Sequence, residues 1–336
     1  MYATLSLPAG HDLPAPHRAT TVRVHSASEL QSALRQARQN ALTLDGSGLD
    51  RVLRIDAARG LLEVQAATPW TELARYLAAK KIDLEAFSRL PASVGDAVSR
   101  SAPGPDGLPV TAHVTAVTLV TPDGELRRAD RDSNRQLLRL VLGGQGVIGV
   151  LYSVTLSIDS LRRSAENAVA AVELGIADSA HDMAKASSIE CLLPPEQLDG
   201  FLTDLRAYVD ERRLALLGIT VRRYLPDDSC QLSWSSREWA GIEIRFGRKT
   251  TLGASVAATE VRRALIGSAL ARGGSFALRH APDATRQQLE ACFPALKGFL
   301  AEKRRGDASE RLQNDWYACV AAKLRVEPCE SRWGKG

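Results

Sequence analysis

The sequence predicts an α+β fold of two domains, and three observations carry that reading. The chain has 336 residues, enough for two domains of about 150 residues each. Its hydrophobic share of 45% is sufficient for a true core. The pattern also changes along the chain: strands and helices mix up to Ile158, strands with two-residue alternation dominate from 161 to 280, and short helices follow. Alternation of that kind marks an antiparallel sheet with one face in water. The expected boundaries are 1–160 for the first domain, completed by 290–336, and 161–289 for a cap domain built on the antiparallel sheet.

Residues 1–20 are rich in proline and read as irregular. "TVRVHS" reads as a short strand. Ser26 and Glu29 then form an S-x-x-E capping box before Leu30, Ala33, Leu34 and Ala37, which predicts a helix from Ala27 to Arg38. "DGSG" at 45–48 is a turn, and "RVLRID" and "LLEVQAA" are two strands joined by "AARG". Thr68 is placed to cap the next helix, with Pro69 at its first position and Trp70, Leu73, Ala74 and Leu77 on its apolar face.

A stretch rich in glycine and proline, "LPASVGDAVSRSAPGPDGLPV", leads to the strand "HVTAVTLVT", the turn "TPDG" and the return strand "ELRRA". In the second half, strands are predicted at "AVAAVEL", "SIECLL", "ALLGITVRRY", "CQLSWS", "GIEIRF" and "SFALRH", with helices near 195–212 and 254–271. The last helices are "ATRQQLEACF", "ALKGFLAEKRR" and "SERLQNDWYACVAAKL".

Composition excludes several functions. The net charge of +4 is small, with both signs interspersed, and aromatics are only 5%, so no nucleic-acid partner is expected. The five cysteines, Cys191, Cys230, Cys292, Cys319 and Cys329, make no C-x-x-C pair, which suits free thiols in a reducing compartment. The first residues lack the basic and apolar regions of a signal peptide, and no apolar run reaches the roughly 18 residues of a membrane span. A soluble, cytoplasmic protein is the expectation. The six histidines are dispersed and no H-E-x-x-H occurs, so no metal site is expected. Neither a G-x-S-x-G elbow nor a G-x-x-x-x-G-K-[ST] loop is present.

One motif demands an explanation. "VLGGQGVIGVLYSVTLSI", residues 141–158, holds a G-x-G-x-x-G at Gly144, Gly146 and Gly149. A dinucleotide fingerprint of the Rossmann kind needs a strand before the glycines and a helix after them. Here "SNRQLLRLVL" reads as helix, and Val150, Tyr152, Val154, Leu156 and Ile158 read as strand. The Rossmann reading is therefore rejected. A tight helix-to-strand turn and a close main-chain approach to some other cofactor both remain.

The order of pieces from 20 to 158, with "VLRIDAARGLLEVQAATPWTELARYLAAKKIDL", "SVGDAV", "HVTAVTLVTPDGEL" and "LGGQGVIGVLYSVTL", resembles the FAD-binding (PCMH-type) domain of the vanillyl-alcohol oxidase/p-cresol methylhydroxylase superfamily. "YLPDDSCQLSW", "EWAGIEIRF" and the segment from "GGSFALRH" to "LQNDWY" are similar to the C-terminal half of the aldonolactone oxidase and decaprenylphosphoryl-ribose oxidase group. The resemblance covers nearly the whole chain and rests on order and spacing. It implies an FAD-dependent oxidoreductase acting on a CH–OH group of a sugar, lactone or similar polyol.

By this resemblance Gly143, Gly144, Gly146, Ile148, Gly149 and Val150 would contact the adenosine half of FAD. Ser93, Val94, Gly95 and Asp96 would lie in the turn facing the diphosphate and flavin. His113 and Val114 would lie near the flavin edge. On "GIEIRF", Glu243 and Arg245 share a face opposite Ile242, Ile244 and Phe246. Glu243 is the candidate acceptor of the hydroxyl proton and Arg245 a further member of that face. His280, at a position where relatives have lysine, and Lys303 are the candidate polar partners. A solvated face of an ordinary sheet explains the same pattern.

Two departures from the family stand out. The glycine-rich diphosphate loop of the R-G-x-G-x-S type is missing, with only Gly46, Ser47 and Gly48 as a stub. The segment that follows "SVGDAV", "SRSAPGPDGLPV", holds no histidine where the family has an H-G-containing segment, so the flavin would be bound non-covalently. The chain thus reads as an FAD enzyme with a small-molecule substrate. The alternative is a degenerate, cofactor-free homologue that binds a small molecule or a partner protein.

Overall fold

The computed structural model describes residues 2–5, 20–36, 42–90, 93–174, 185–248 and 252–325. Within them the strands form three sheets. The first is built from β1 (Tyr2–Leu5), β2 (Thr20–Arg23) and β3 (Leu42–Asp45), with helix α1 (Ala27–Gln36) crossing between β2 and β3. β2 and β3 run parallel and β1 pairs antiparallel with β3. Ser26 accepts from the Glu29 amide at 3.2 Å. The Glu29 carboxylate answers one residue earlier than a capping box expects, on the His25 amide at 2.9 Å. The last residues of the helix expected to reach Arg38 lie outside the described residues.

The second sheet has the order β4-β5-β8-β6-β7 and is antiparallel throughout. β4 (Val52–Asp56) and β5 (Leu61–Gln65) lead to helices α2 (Trp70–Ala78), α3 (Glu85–Ser88) and α4 (Val94–Arg100). Then come β6 (Val114–Val120), β7 (Leu126–Asp130), α5 (Arg135–Val141), β8 (Val150–Ser157) and α6 (Ile158–Glu166). Trp70, Leu73 and Leu77 pack with Val64, Val117 and Val154 in one core. The expected Thr68 cap is corrected: Pro69 is the N-cap of α2, and the buried Thr68 hydroxyl has no partner among the described residues. "SVGDAV", expected as a turn, is the start of α4, capped by Ser93.

The third sheet has the order β13-β10-β12-β11-β9. β9 (Val172–Leu174), β10 (Lys185–Leu193), α7 (Leu198–Arg212), β11 (Leu216–Tyr224), β12 (Trp239–Arg248), α8 (Leu252–Ala271) and β13 (Ser275–Phe276) follow in order. Ile189, Ile219, Ile242 and Ile244 are buried on one face, sharing a core with Phe201 and Leu205 of α7 and Leu265 and Ile266 of α8. The register places Glu190, Glu243 and Thr220 side by side on the other face. "CQLSWS" is corrected from strand to turns: in the described residues 229–237 no strand forms, and Trp234 leaves the sheet direction to donate to the Ser101 carbonyl at 2.8 Å. "SFALRH" is a strand of two residues followed by a 3-10 turn over Leu278–His280.

The chain ends with α9 (Arg286–Cys292), α10 (Leu296–Gly306), β14 (Leu312–Gln313) and α11 (Asp315–Leu324). β14 pairs with β1 and so completes the first sheet, while Leu289, Phe299 and Val320 of the helices join the core of the third. Cys191, Cys230, Cys292 and Cys319 are free thiols, and Cys329 lies outside the described residues. No helix among the described residues is long and apolar enough to cross a membrane.

Candidate functional site

Part of the polar face of the third sheet, carrying Glu190, Arg222 and Glu243, lines a cleft. It forms one wall of that cleft, of about 870 Å³, and α4 with the loop from Ser101 to Gly107 forms the other. That volume lies in the range of ligand and cofactor pockets.

On the sheet wall, Glu190 is buried and held from two sides. The Tyr224 hydroxyl donates to its Oε1, and Arg279 donates to its Oε2 at 2.5 Å. The Arg279 guanidinium also reaches Glu243 at 3.8 Å, and Arg222 approaches Glu243 at 3.9 Å. Gly241 makes this possible. The Tyr224 ring lies across β12 where any side chain at 241 would collide with it. Tyr224 also meets Trp234 edge-on, with centroids 5.1 Å apart.

Burial and the neighbouring Glu190 charge push the Tyr224 hydroxyl well above its ordinary range, so it stays protonated and donates. Burial alone would depress Arg279, but Glu190 and then Glu243 more than offset it and hold the guanidinium charged. Glu243 is paired only loosely, one oxygen toward each arginine, and is partly exposed where it lines the cleft.

On the opposite wall, Asp96 lines the cleft and is paired with Arg100 at 2.9 Å. Arg89, at the end of α3, also lines the cleft, and among the described residues its side chain has no hydrogen-bond or ion-pair partner. The main-chain amides of α4 are already spent. Val94 donates to Thr68 O at 2.9 Å, Gly95 to Ala66 O at 2.7 Å, and Asp96 to Ser93 Oγ at 3.3 Å.

The structure separates the remaining candidates from this cleft. Gly143 and Gly146 adopt positive φ of 66° and 73°, a conformation that favours glycine, and make a tight helix-to-strand turn. That turn is knitted into the protein. Gly143 donates to Val98 O at 3.0 Å, Gln145 donates to Ser99 O at 2.8 Å, and Asn314 donates to Gln145 O at 2.8 Å. Cys230 packs on Gly143, and none of Gly144, Ile148, Gly149 or Val150 lines the cleft.

His113 is buried with Nδ1 at 2.8 Å from Ser160 Oγ, and burial lowers its pKa; Val114 is buried beside it. Arg245 shares a sheet face with Glu243 but turns toward Glu173 at 3.8 Å. His280 is buried behind the cleft, pushed down to about 3 by burial with Arg279 and Arg262 adding to the effect. Lys303 forms a sealed pair with Asp307 on α10. Of the residues singled out in the sequence, Glu243 and Asp96 reach the cleft.

Glu190, Tyr224, Arg222 and Arg279 were not singled out. Glu190 carried a signal, a lone carboxylate in the apolar run "SIECLL". Arg279 is one residue from the histidine that was chosen, and the 3-10 turn there reverses which of the two faces the cleft.

Residues 18–130 match the family described as "FAD binding domain". That match covers β2 through β7, including both α4 and the shortened turn after β3. It indicates an FAD-binding, PCMH-type domain and, in general, an FAD-dependent oxidoreductase. No curated protein matches the chain.

The cleft suits FAD by size and by the chemistry of its donors. Arginines on both walls answer an anionic group, and a buried, hydrogen-bonded polar floor suits a polar ring and substrate. The residues that would hold FAD are those of α4 and its flanking loop on one side and the Glu190 cluster on the other.

Proposed function

We propose that the chain oxidises a CH–OH group of a sugar, lactone or polyol-like substrate with FAD, bound non-covalently in the cleft between α4 and the third sheet. In this reading residues 1–160, completed by 290–336, are the FAD-binding region and 161–289 the substrate cap. The observation that supports it is the convergence of Glu190, Glu243, Tyr224 and Arg279 on a cleft whose other wall lies in the matched region. FAD, when bound, supplies the two-electron acceptor.

The chain's own residues do the rest. Glu243 takes the substrate hydroxyl proton on a carboxylate oxygen. Arg279 and Arg222, at 3.8 and 3.9 Å, hold that carboxylate in place. Glu190, fixed by Tyr224, anchors Arg279. The wall formed by α4 and the 101–107 loop limits water in the cleft.

The test is direct. The purified protein is expected to carry or take up about one FAD per chain, read from flavin absorbance. A panel of sugars, lactones and polyols is then expected to bleach that absorbance without oxygen. Glu243→Gln should slow bleaching by about 10²-fold or more. A protein that neither carries flavin nor quenches added FAD fluorescence would end this reading.

A second reading has its own observation. The α4 amides of Val94, Gly95 and Asp96 are committed to protein acceptors, and the turn after β3 is closed by Ser47 on Asp45 at 2.9 Å and by Leu49 on Gly46 at 3.0 Å. Both fit a cofactor-free relative that binds a small molecule or partner protein in the same cleft. Flavin content separates the two.

A further inference from the structure

A diphosphate entering the cleft needs positive charge or free N–H donors. The main chain offers few. Val94, Gly95 and Asp96 give their amides to Thr68, Ala66 and Ser93. The turn after β3 is tight, and a side chain at Gly48 would lie 2.7 Å from the Val24 carbonyl. The arginines are unequally engaged. Arg279 is fixed on Glu190 at 2.5 Å, Arg223 forks onto Glu238 at 2.7 and 3.1 Å, and Arg222 stands over Glu243. Arg89, which caps the end of α3 and lines the cleft, has no side-chain partner among the described residues, and Arg100 of α4 balances Asp96.

We infer that Arg89 and Arg100, which line the same cleft, bind the phosphate groups of the flavin nucleotide, in place of main-chain amides. This rests on the flavin reading above. Guanidinium groups suit the role: each presents several donors in a plane that matches phosphate oxygens, and each stays charged at any working pH. Arg100 also settles the electrostatic conflict of a carboxylate on the α4 wall, because it neutralises Asp96 at 2.9 Å. The phosphate then meets the remaining charge of Arg89 and the outer face of the Arg100–Asp96 pair. The isoalloxazine end, which needs no such charge, is left to the sheet wall.

The experiment compares riboflavin, FMN and FAD on the full chain by fluorescence quenching, for the wild type and for Arg89→Ala/Arg100→Ala. The wild type is expected to bind the phosphorylated flavins about tenfold to a hundredfold more tightly than riboflavin. The double variant should lose most of that preference while its riboflavin affinity moves by no more than about twofold. Arg89→Lys should restore part of it. Wild-type FAD affinity should also fall with added salt while riboflavin affinity does not, a readout that needs no variant.

A double variant that keeps the preference overturns the assignment. So does a wild type that binds all three flavins equally, or FAD binding that ignores salt. A wild type that binds none of the three overturns the flavin reading itself, and the assignment with it.

Discussion

Two buried ion pairs in this molecule are made of similar groups and do different work. Lys303, in the last turn of α10, and Asp307, its C-cap, are four residues apart, both side chains almost without exposure. Asp307 also accepts the amides of Arg311 at 3.0 Å and Leu312 at 2.9 Å, and Lys303 lies over the Tyr317 ring. The acceptors and charge of that pair are spent inside the fold, where they fix the chain into β14. Burial lowers the Lys303 pKa, with Asp307 opposing the shift.

Glu190 and Arg279 are joined as tightly, but Arg279 keeps exposure and a second carboxylate, Glu243, lies 3.8 Å from it on the same wall of the cleft. A sealed pair organises structure. A pair with one open side organises a surface for a ligand.

The comparison breaks most sharply at Asp307. Asp307→Ala strands a buried ammonium and should destabilise the protein by about 3–5 kcal/mol in denaturant unfolding. Flavin affinity per folded molecule should be unchanged. If it falls as well, the sealed pair is not purely structural.

Glu190→Gln removes charge without volume and leaves Tyr224 and Arg279 imperfectly paired. The expected loss is smaller, about 1.5–3 kcal/mol, accompanied by altered ligand binding in the same titration. Equal losses of stability from both variants, with no change of binding in either, would erase the distinction.

The pH dependence offers a third test through His280, which follows Arg279 and is buried. Its folded pKa is held at about 3, below the ordinary value near 6.5. The unfolded chain therefore binds a proton that the folded chain refuses. The corresponding stability is complete above pH 6.5 and is lost as pH falls toward 3, with a slope approaching about 1.4 kcal/mol per pH unit. His280→Gln should flatten the stability profile between pH 6.5 and 5, a region where most carboxylates are already ionised. An unchanged profile would mean that the imidazole is not excluded from protonation.

The mildest effect is expected at Glu243. It is partly exposed and loosely paired, so Glu243→Gln should shift stability by no more than about 1 kcal/mol while slowing turnover. A large stability loss there would move Glu243 into the structural class.

The antiparallel third sheet was legible because its strands alternate. Ile242 and Ile244 against Glu243 and Arg245 on β12 announced both the strand and its two faces. The second sheet was legible through turn chemistry such as "TPDG" between β6 and β7. β1 and β14 were not, because four-residue and two-residue strands carry too little periodicity and their pairing spans the chain.

"CQLSWS" misled because Trp234 and Leu232 are buried by a folded-back loop, which alternates by accident. The site was half legible. Glu243 was readable from its face, while Glu190 and Arg279 depend on cross-strand register and on a 3-10 turn, neither of which is written in local spacing.

The pairing of β14 with β1 has a consequence for how the chain is made. The first sheet holds an unfinished edge until residue 313 has been synthesised, since β1 finds its second neighbour only there. For most of translation that edge is available to any other extended segment. A C-terminal deletion ending before Leu312 would make the exposure permanent, and such a product should aggregate even though nearly every residue of the cleft is still present.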